Sequence, residues 1–256
     1  MMQTLDRQGV KLCYQQAGTG DSTFLFIPGG SCDWWSFHEQ LEHFSADYRC
    51  VSLDLRGHGQ SDKPEQNYDL GVYVDDVAWV IGELGLGQPI VAGHSMGGAI
   101  GLQLAADHPD LVRALVLDDP APVSGNEAGF GQMLDAFDRF GVDSTRRRAF
   151  TNFFFGDYDP DLLEEVLDRA AVVPDYVFRG EIAGLRDWDG VAAATACSVP
   201  VLHIAAARPA TPPELLRSVL PKVVTGQTVG AGHFNMLEVP DQVNSMIENF
   251  ILCYVD

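Results

Sequence analysis

The chain predicts an α/β architecture, a mostly parallel central sheet with helices on both faces. Two observations carry this. Short apolar runs recur along the sequence and are continuous rather than alternating, which marks strands buried on both faces. Stretches of helical periodicity separate these runs, and such alternation requires parallel strands joined by right-handed crossovers. Length agrees, because 256 residues suffice for one α/β core that buries about three quarters of its unfolded surface.

The elements follow in order. Gln3 to Arg7 and Lys11 to Gln16 alternate around Gln8-Gly9, the pattern of an opening hairpin. Phe24 to Ile27 and Cys50 to Leu53 are core strands, with a helix expected over Ser36 to Phe44 between them. Leu70 to Leu84 is amphipathic at helical spacing, Ile90 to Ala92 is a strand, Met96 to Asp107 a helix and Ala114 to Leu117 a strand. The alternation then breaks. From Pro122 to Thr195 the chain carries three consecutive phenylalanines, Phe153 to Phe155, and helical stretches such as Asp161 to Ala170, without strand signals. Residues 122–195 are therefore expected to form a helical lid inserted after the sixth strand, with 1–121 and 196–256 as the core. Val201 to Ile204 resumes the strands, and helices are expected over Pro213 to Val219 and Pro240 to Phe250. A lid over the carboxyl ends of the strands lies where an open α/β sheet receives a ligand.

Charge narrows the partners. With 16 Lys plus Arg against 36 Asp plus Glu, the net charge of -20 repels phosphate backbones and anionic lipid surfaces. A small-molecule substrate is expected, with no nucleic acid and no membrane as partner. The one basic cluster, Arg146-Arg147-Arg148, reads as a solvated helix face. Met1 to Gln16 lacks the continuous hydrophobic region of a signal peptide, and no apolar run reaches membrane-spanning length. The cysteines Cys13, Cys32, Cys50, Cys197 and Cys253 are odd in number and lack metal-ligand spacing. They read as reduced thiols of a cytoplasmic chain, monomer or homodimer, with no metal and no cofactor. Cys32 falls in a loop expected beside the active site.

The run Pro89 to Gly98 joins an apolar strand to a helix through Gly93-His94-Ser95-Met96-Gly97. A serine at such a corner sits on strained backbone with its hydroxyl projecting outward, the position of a nucleophile. Ser95 needs a base. His233 lies in the glycine-rich turn Gly230-Ala231-Gly232-His233-Phe234 after the last strand, from which its ring can reach the serine. The base needs a carboxylate. The loop after the Val201 strand, Ala205 to Pro213, offers no acid, so the acid is expected at the end of the preceding strand, Asp118-Asp119. Consecutive strand residues face opposite ways, and Asp119, beside Pro120 where the chain leaves the sheet, is favoured over Asp118. For the oxyanion hole, Met96 N–H follows the nucleophile, and Pro28-Gly29-Gly30-Ser31 after the first core strand supplies a second amide, with Gly30 favoured over Ser31. Ser31, Trp34, Trp35, His94, Phe154, Trp188 and Phe234 are expected to line the substrate pocket.

The segments Gly93-His94-Ser95-Met96-Gly97-Gly98, Asp54-Leu55-Arg56-Gly57-His58-Gly59-Gln60-Ser61 and Gly230-Ala231-Gly232-His233-Phe234 together resemble the α/β-hydrolase superfamily, over nearly the whole chain outside the lid. The first strand loop departs from that superfamily, carrying Pro28-Gly29 where it usually has a His-Gly pair. An acid after the sixth strand is similar to the arrangement in zearalenone-type lactone hydrolases. Haloalkane dehalogenases share it but use an aspartate nucleophile where this chain has Ser95. The resemblance implies hydrolysis of a carboxylic ester, a lactone or a small aryl or alkyl ester, through an acyl-enzyme on Ser95. Two other readings remain at this level: a cofactor-free dioxygenase using the histidine and aspartate pair, and a hydrolase-like small-molecule binding protein.

Overall fold

The computed structural model describes residues 2–255; Met1 and Asp256 lie outside the described residues. Among the described residues eight strands form one sheet: β1 (Gln3–Arg7), β2 (Val10–Ala17), β3 (Thr23–Ile27), β4 (Arg49–Asp54), β5 (Ile90–His94), β6 (Ala114–Asp118), β7 (Val201–Ala205) and β8 (Val224–Gln227). Their spatial order is β1-β2-β4-β3-β5-β6-β7-β8. The hairpin β1–β2 is antiparallel and joins β4 antiparallel, while every pair from β4 to β8 is parallel. All the later strands therefore end along one edge, and the loops that leave that edge build the site.

The apolar runs explain the two-sided cover. Leu25, Ile27, Val51, Leu53, Val91, Leu115 and Leu117 face one core, and the alternate residues Phe24, Phe26, Cys50, Ile90, Ala92, Val116, Leu202 and Ile204 face the other. The helices that close these faces are α1 (His38–Phe44), α2 (Leu70–Glu83) and α3 (Met96–Asp107), then α4 (Asn126–Phe140), α5 (Val142–Phe153), α6 (Pro160–Ala170), α7 (Asp175–Asp187) and α8 (Gly190–Ala196), and last α9 (Pro213–Val219), α10 (Asn235–Glu238) and α11 (Pro240–Tyr254). Aspartates start several of them: Asp69 Oδ1 accepts from Val72 N–H, Asp159 Oδ1 from Asp161 N–H and Asp189 Oδ1 from Ala192 N–H. The first expected helix begins as a 3-10 turn, Trp34–Phe37, before α1. The last continues to Tyr254 rather than stopping at Phe250.

Five helices fill the interval between β6 and β7. Of these, α4 packs on α7 and α5, whereas α8 returns to the sheet against α3 and α9. Arg146 departs from the solvated face expected of the basic triplet. Its guanidinium is buried, donates to Val173 O at 2.8 Å and lies over the Phe178 ring, so only Arg147 and Arg148 face outward. No helix among the described residues is long and apolar enough to cross a membrane.

Candidate active site

Ser95 sits at the β5–α3 corner with φ 51° and ψ -117°, in the positive-φ region that L residues adopt only under constraint. The glycines around it are required by space. A Cβ on Gly93 would lie 2.2 Å from Gly97 O, and one on Gly97 would lie 2.0 Å from Ile27 O. A side chain at Gly93 would push the first turn of α3 away from β5, and one at Gly97 would push the corner off β3. Met96 is the first residue of α3, so its N–H has no helical turn beneath it to bond.

His233 is held by its backbone as well as its ring. Its N–H donates to Phe153 O at 2.7 Å, and its carbonyl accepts from His94 Nε2 at 2.8 Å. Burial, together with the neighbouring His233, holds His94 well below the usual imidazole range. His94 is therefore neutral, with its one hydrogen on the nitrogen that faces a carbonyl. The ring of His233 meets Asp119: Nδ1 lies 2.5 Å from Asp119 Oδ2. The other oxygen of Asp119 accepts from Ala206 N–H at 3.2 Å. The acid-free loop after β7 thus supplies the amide that orients the carboxylate. Asp119 has φ 37°, turning out of the sheet immediately after β6. Asp118 points elsewhere. It is buried, and burial, then the charge of Asp119, pushes it well above the usual carboxylate range against the opposing contact of Asn235.

Ser95, His233, Gly30 and Met96 share the wall of one cavity of about 310 Å³. Its roof is apolar and comes from the interval between β6 and β7: Phe130 and Met133 on α4, Phe150 and Phe153 on α5, Phe178 and Ile182 on α7. None of the seven pocket residues expected from the sequence lies on this wall, and each has a physical reason. Ser31 is buried with its N–H 3.1 Å from His58 Nε2. Trp34 is tied down by its N–H to Asp54 Oδ1 and its carbonyl to Ser52 Oγ. Trp35 stacks on His38 and under the Arg169 guanidinium. His94 lies beneath His233. Phe154 and Phe234 pack on each other, with ring centroids 5.3 Å apart, in the core of the second sheet face. Phe154 does border a smaller cavity of about 180 Å³ on the other side of Asp119 and His233. Trp188 turns to α3, donating Nε1–H to Gln103 Oε1 at 2.9 Å.

Sequence reasoning missed Glu181, which is buried on the cavity wall. The signal was present. In α7 the buried residues Val177, Phe178, Ile182 and Leu185 form an apolar stripe, and Glu181 stands in the middle of it. Cys32 does not reach the cavity, and burial pushes its thiol up to about 12. No group of three His, Cys, Asp or Glu side chains suited to a metal lies together among the described residues.

Comparison with known proteins agrees with this architecture. A family model described as alpha/beta hydrolase fold matches residues 22–177. The AB hydrolase superfamily protein YisY of Bacillus subtilis is 28% identical over 94% of this chain and 95% of its own length. The 2-(acetamidomethylene)succinate hydrolase of Mesorhizobium japonicum is 36% identical over 46% of this chain, and epoxide hydrolase 1 of Caenorhabditis elegans 39% identical over 42%. These two matches span 42% and 27% of the relatives' own lengths, so the chain spans less than half of either. Among solved structures, the enol-lactonase from Burkholderia xenovorans superposes with a TM-score of 0.89 at 22% identity, covering 98% of this chain and 100% of that one. At that identity the likeness is one of fold. The match of the family model over more than half of the residues, with YisY aligned along nearly the whole length, shows that the chain belongs to the alpha/beta hydrolase fold family.

Proposed function

We propose that this protein hydrolyses a carboxylic ester, a lactone or a small aryl or alkyl ester, through an acyl-enzyme on Ser95. The observation that carries the reading is the imidazole of His233, backed by Asp119 at 2.5 Å and sharing one apolar cavity with the strained Ser95. Asp119 accepts the Nδ1 hydrogen and so leaves Nε2 unprotonated, the tautomer a general base needs. Ser95 Oγ attacks the carbonyl as its proton passes to His233 Nε2, and the oxyanion is held by the N–H groups of Met96 and Gly30. The C–O bond to the alcohol breaks with return of that proton to the departing oxygen. Water then loses a proton to His233 and cleaves the acyl-enzyme, restoring Ser95. The apolar cavity walls lower the local polarity, which strengthens each of these interactions. Helices α4 to α7 act as a lid over the strand ends.

Several features of the chain fit this assignment. The enol-lactonase superposes over nearly all of it, and a small apolar chamber suits a compact ester. Buried thiols at Cys13, Cys32, Cys50 and Cys197 fit a reducing, cytoplasmic setting. The test is a fluorophosphonate label mapped by mass spectrometry, with a panel of lactones and linear esters. Labelling at Ser95 and its loss in Ser95→Ala, together with at least a thousandfold fall in ester turnover, is the expected result. Ester turnover retained in Ser95→Ala refutes the assignment.

A further inference from the structure

Glu181 hangs from α7 into the cavity with its side chain wholly buried, and its two oxygens have different fates. Oε1 accepts from Tyr73 Oη–H at 2.9 Å and lies 2.7 Å from His58 Nε2. Oε2 has no hydrogen-bond partner. It faces the Gly30 amide region, since a Cβ placed on Gly30 would lie 3.2 Å from Oε2 and 3.8 Å from Met96 Sδ. The unpartnered oxygen is thus beside Gly30, one of the two residues assigned to the oxyanion.

Proton bookkeeping fixes what Oε2 offers. His58 Nδ1 lies 2.9 Å from Arg56 O, which can only accept, so Nδ1 carries a hydrogen. His58 Nε2 accepts the Ser31 N–H at 3.1 Å and also lies 2.7 Å from Glu181 Oε1, and so short an approach of two acceptor atoms requires one further proton between them. Burial lowers His58 most, but the charge and hydrogen bond of Glu181, together with Arg56 O and Asp54, raise it above its ordinary value. Wherever that shared proton sits, the pair is neutral overall and Oε2 remains an acceptor. A carboxylate so neutralised does not repel the oxyanion. A buried acceptor left without a donor costs about 1–3 kcal/mol, and native proteins keep few of them. Asn126 repeats the pattern on the same wall: its Nδ2 donates to Leu185 O and Trp188 O, which fixes the amide, and its Oδ1 is left without a donor.

We propose that Glu181 is a specificity-determining acceptor, selecting esters or lactones whose carbon next to the scissile carbonyl bears an N–H or O–H group that donates to Oε2. The assignment rests on the serine ester reading above. The departing oxygen must face His233, which protonates it, so the acyl part is what runs beside Gly30 and meets Glu181.

The test compares p-nitrophenyl esters that differ only in the donor: hydroxyacetate against methoxyacetate, and N-acetylglycine against its N-methyl counterpart. Each kcat/KM is divided by the hydroxide-catalysed rate of the same ester. In the wild-type protein the donor ester of each pair is favoured about tenfold or more, as expected when a buried acceptor that otherwise lacks a donor gains one. In Glu181→Gln the shared proton is lost with the carboxyl, so the NH2 group donates to His58 Nε2 and the amide oxygen takes the place of Oε2 as a weaker, neutral acceptor, and the preference falls. Glu181→Met brings the ratio toward one. A wild-type ratio near one overturns the proposal without any variant, and so does a preference that survives both substitutions. Failure of the catalytic reading is told apart by the fluorophosphonate label. An unlabelled Ser95 removes the ester chemistry itself, whereas a labelled Ser95 that turns over both esters of each pair equally removes only the role of Glu181.

Discussion

Gly232→Ala tests whether the base is positioned by backbone space rather than by its ring contacts alone. A Cβ at this position would stand 2.0 Å from Phe153 O, 2.9 Å from Phe155 N and 3.0 Å from Phe153 C, where ordinary contact begins at 3.4 Å. The atoms it meets are backbone, so no side chain can rotate aside, and the two segments must part by more than an ångström. The same Phe153 carbonyl accepts the His233 N–H, so the displacement falls on the peptide that carries the imidazole. Misplacing a catalytic group by about 1 Å costs about a hundredfold in rate, and overpacking costs about 1–3 kcal/mol of stability. The assay is kcat/KM on an ester substrate, with thermal unfolding and fluorophosphonate labelling of the same samples. Gly230→Ala is the control. Gly230 has φ +80° but open space around it, so the variant pays backbone strain without driving His233 away. Gly232→Ala is expected to lose about a hundredfold in turnover and Gly230→Ala far less. Equal activity in the two variants would show that the close approach of residues 232 and 153 does not set the position of the base.

Asp119→Asn presents an amide NH2 or carbonyl to His233 Nδ1 and disturbs its tautomer, so kcat should fall about a thousandfold or more, while Asp118→Asn, at a buried carboxyl pushed well above the usual range and away from His233, should keep most activity; the reverse ranking would reassign the acid. Burial lowers His203 from 6.5 to about 4. The unfolded chain therefore takes up this proton first, and the associated stability is present above pH 6.5 and lost as pH falls toward 4, by up to about 3 kcal/mol. Denaturant unfolding at pH 7 and pH 4.5 should show a steeper loss for wild type than for His203→Leu, and parallel behaviour would contradict that linkage. Iodoacetamide at pH 8 should modify the exposed Cys253 well before Cys32, whose thiol stays protonated up to about 12; mass mapping that finds both labelled at the same rate would refute the assignment of Cys32 as an inert core thiol.

Much of the fold was legible because local sequence and tertiary role coincide. Strands β3 to β7 are buried on both faces, and each reads as an apolar run. Strand β8 does not, because Val224–Gln227 is a partly exposed edge and its Thr, Gly and Gln carry no such signal. The corner at Ser95 and the turn at His233 were visible as glycine patterns whose need for space the structure explains. Asp119 was reached by alternation and by the missing acid after β7, and the Ala206 amide fills that gap. The cavity wall was not legible. Aromatic content nominates Trp34, Trp35 and Trp188, yet whether a ring meets substrate or core depends on how α4, α5 and α7 lie over the strand ends. Glu181 shows the converse: one acid on an apolar helical stripe was a sharper signal than any of the tryptophans.

The tie between the Phe153 carbonyl and the His233 amide crosses from the inserted helices to the sheet. The two portions of the molecule are consequently not interchangeable parts. A chimera that grafts another roof onto this sheet must supply a carbonyl at the end of its own second helix, or the donor nitrogen of residue 233 loses its anchor. Recombination that respects the boundaries of the insertion but ignores this one bond would yield well-folded and idle molecules.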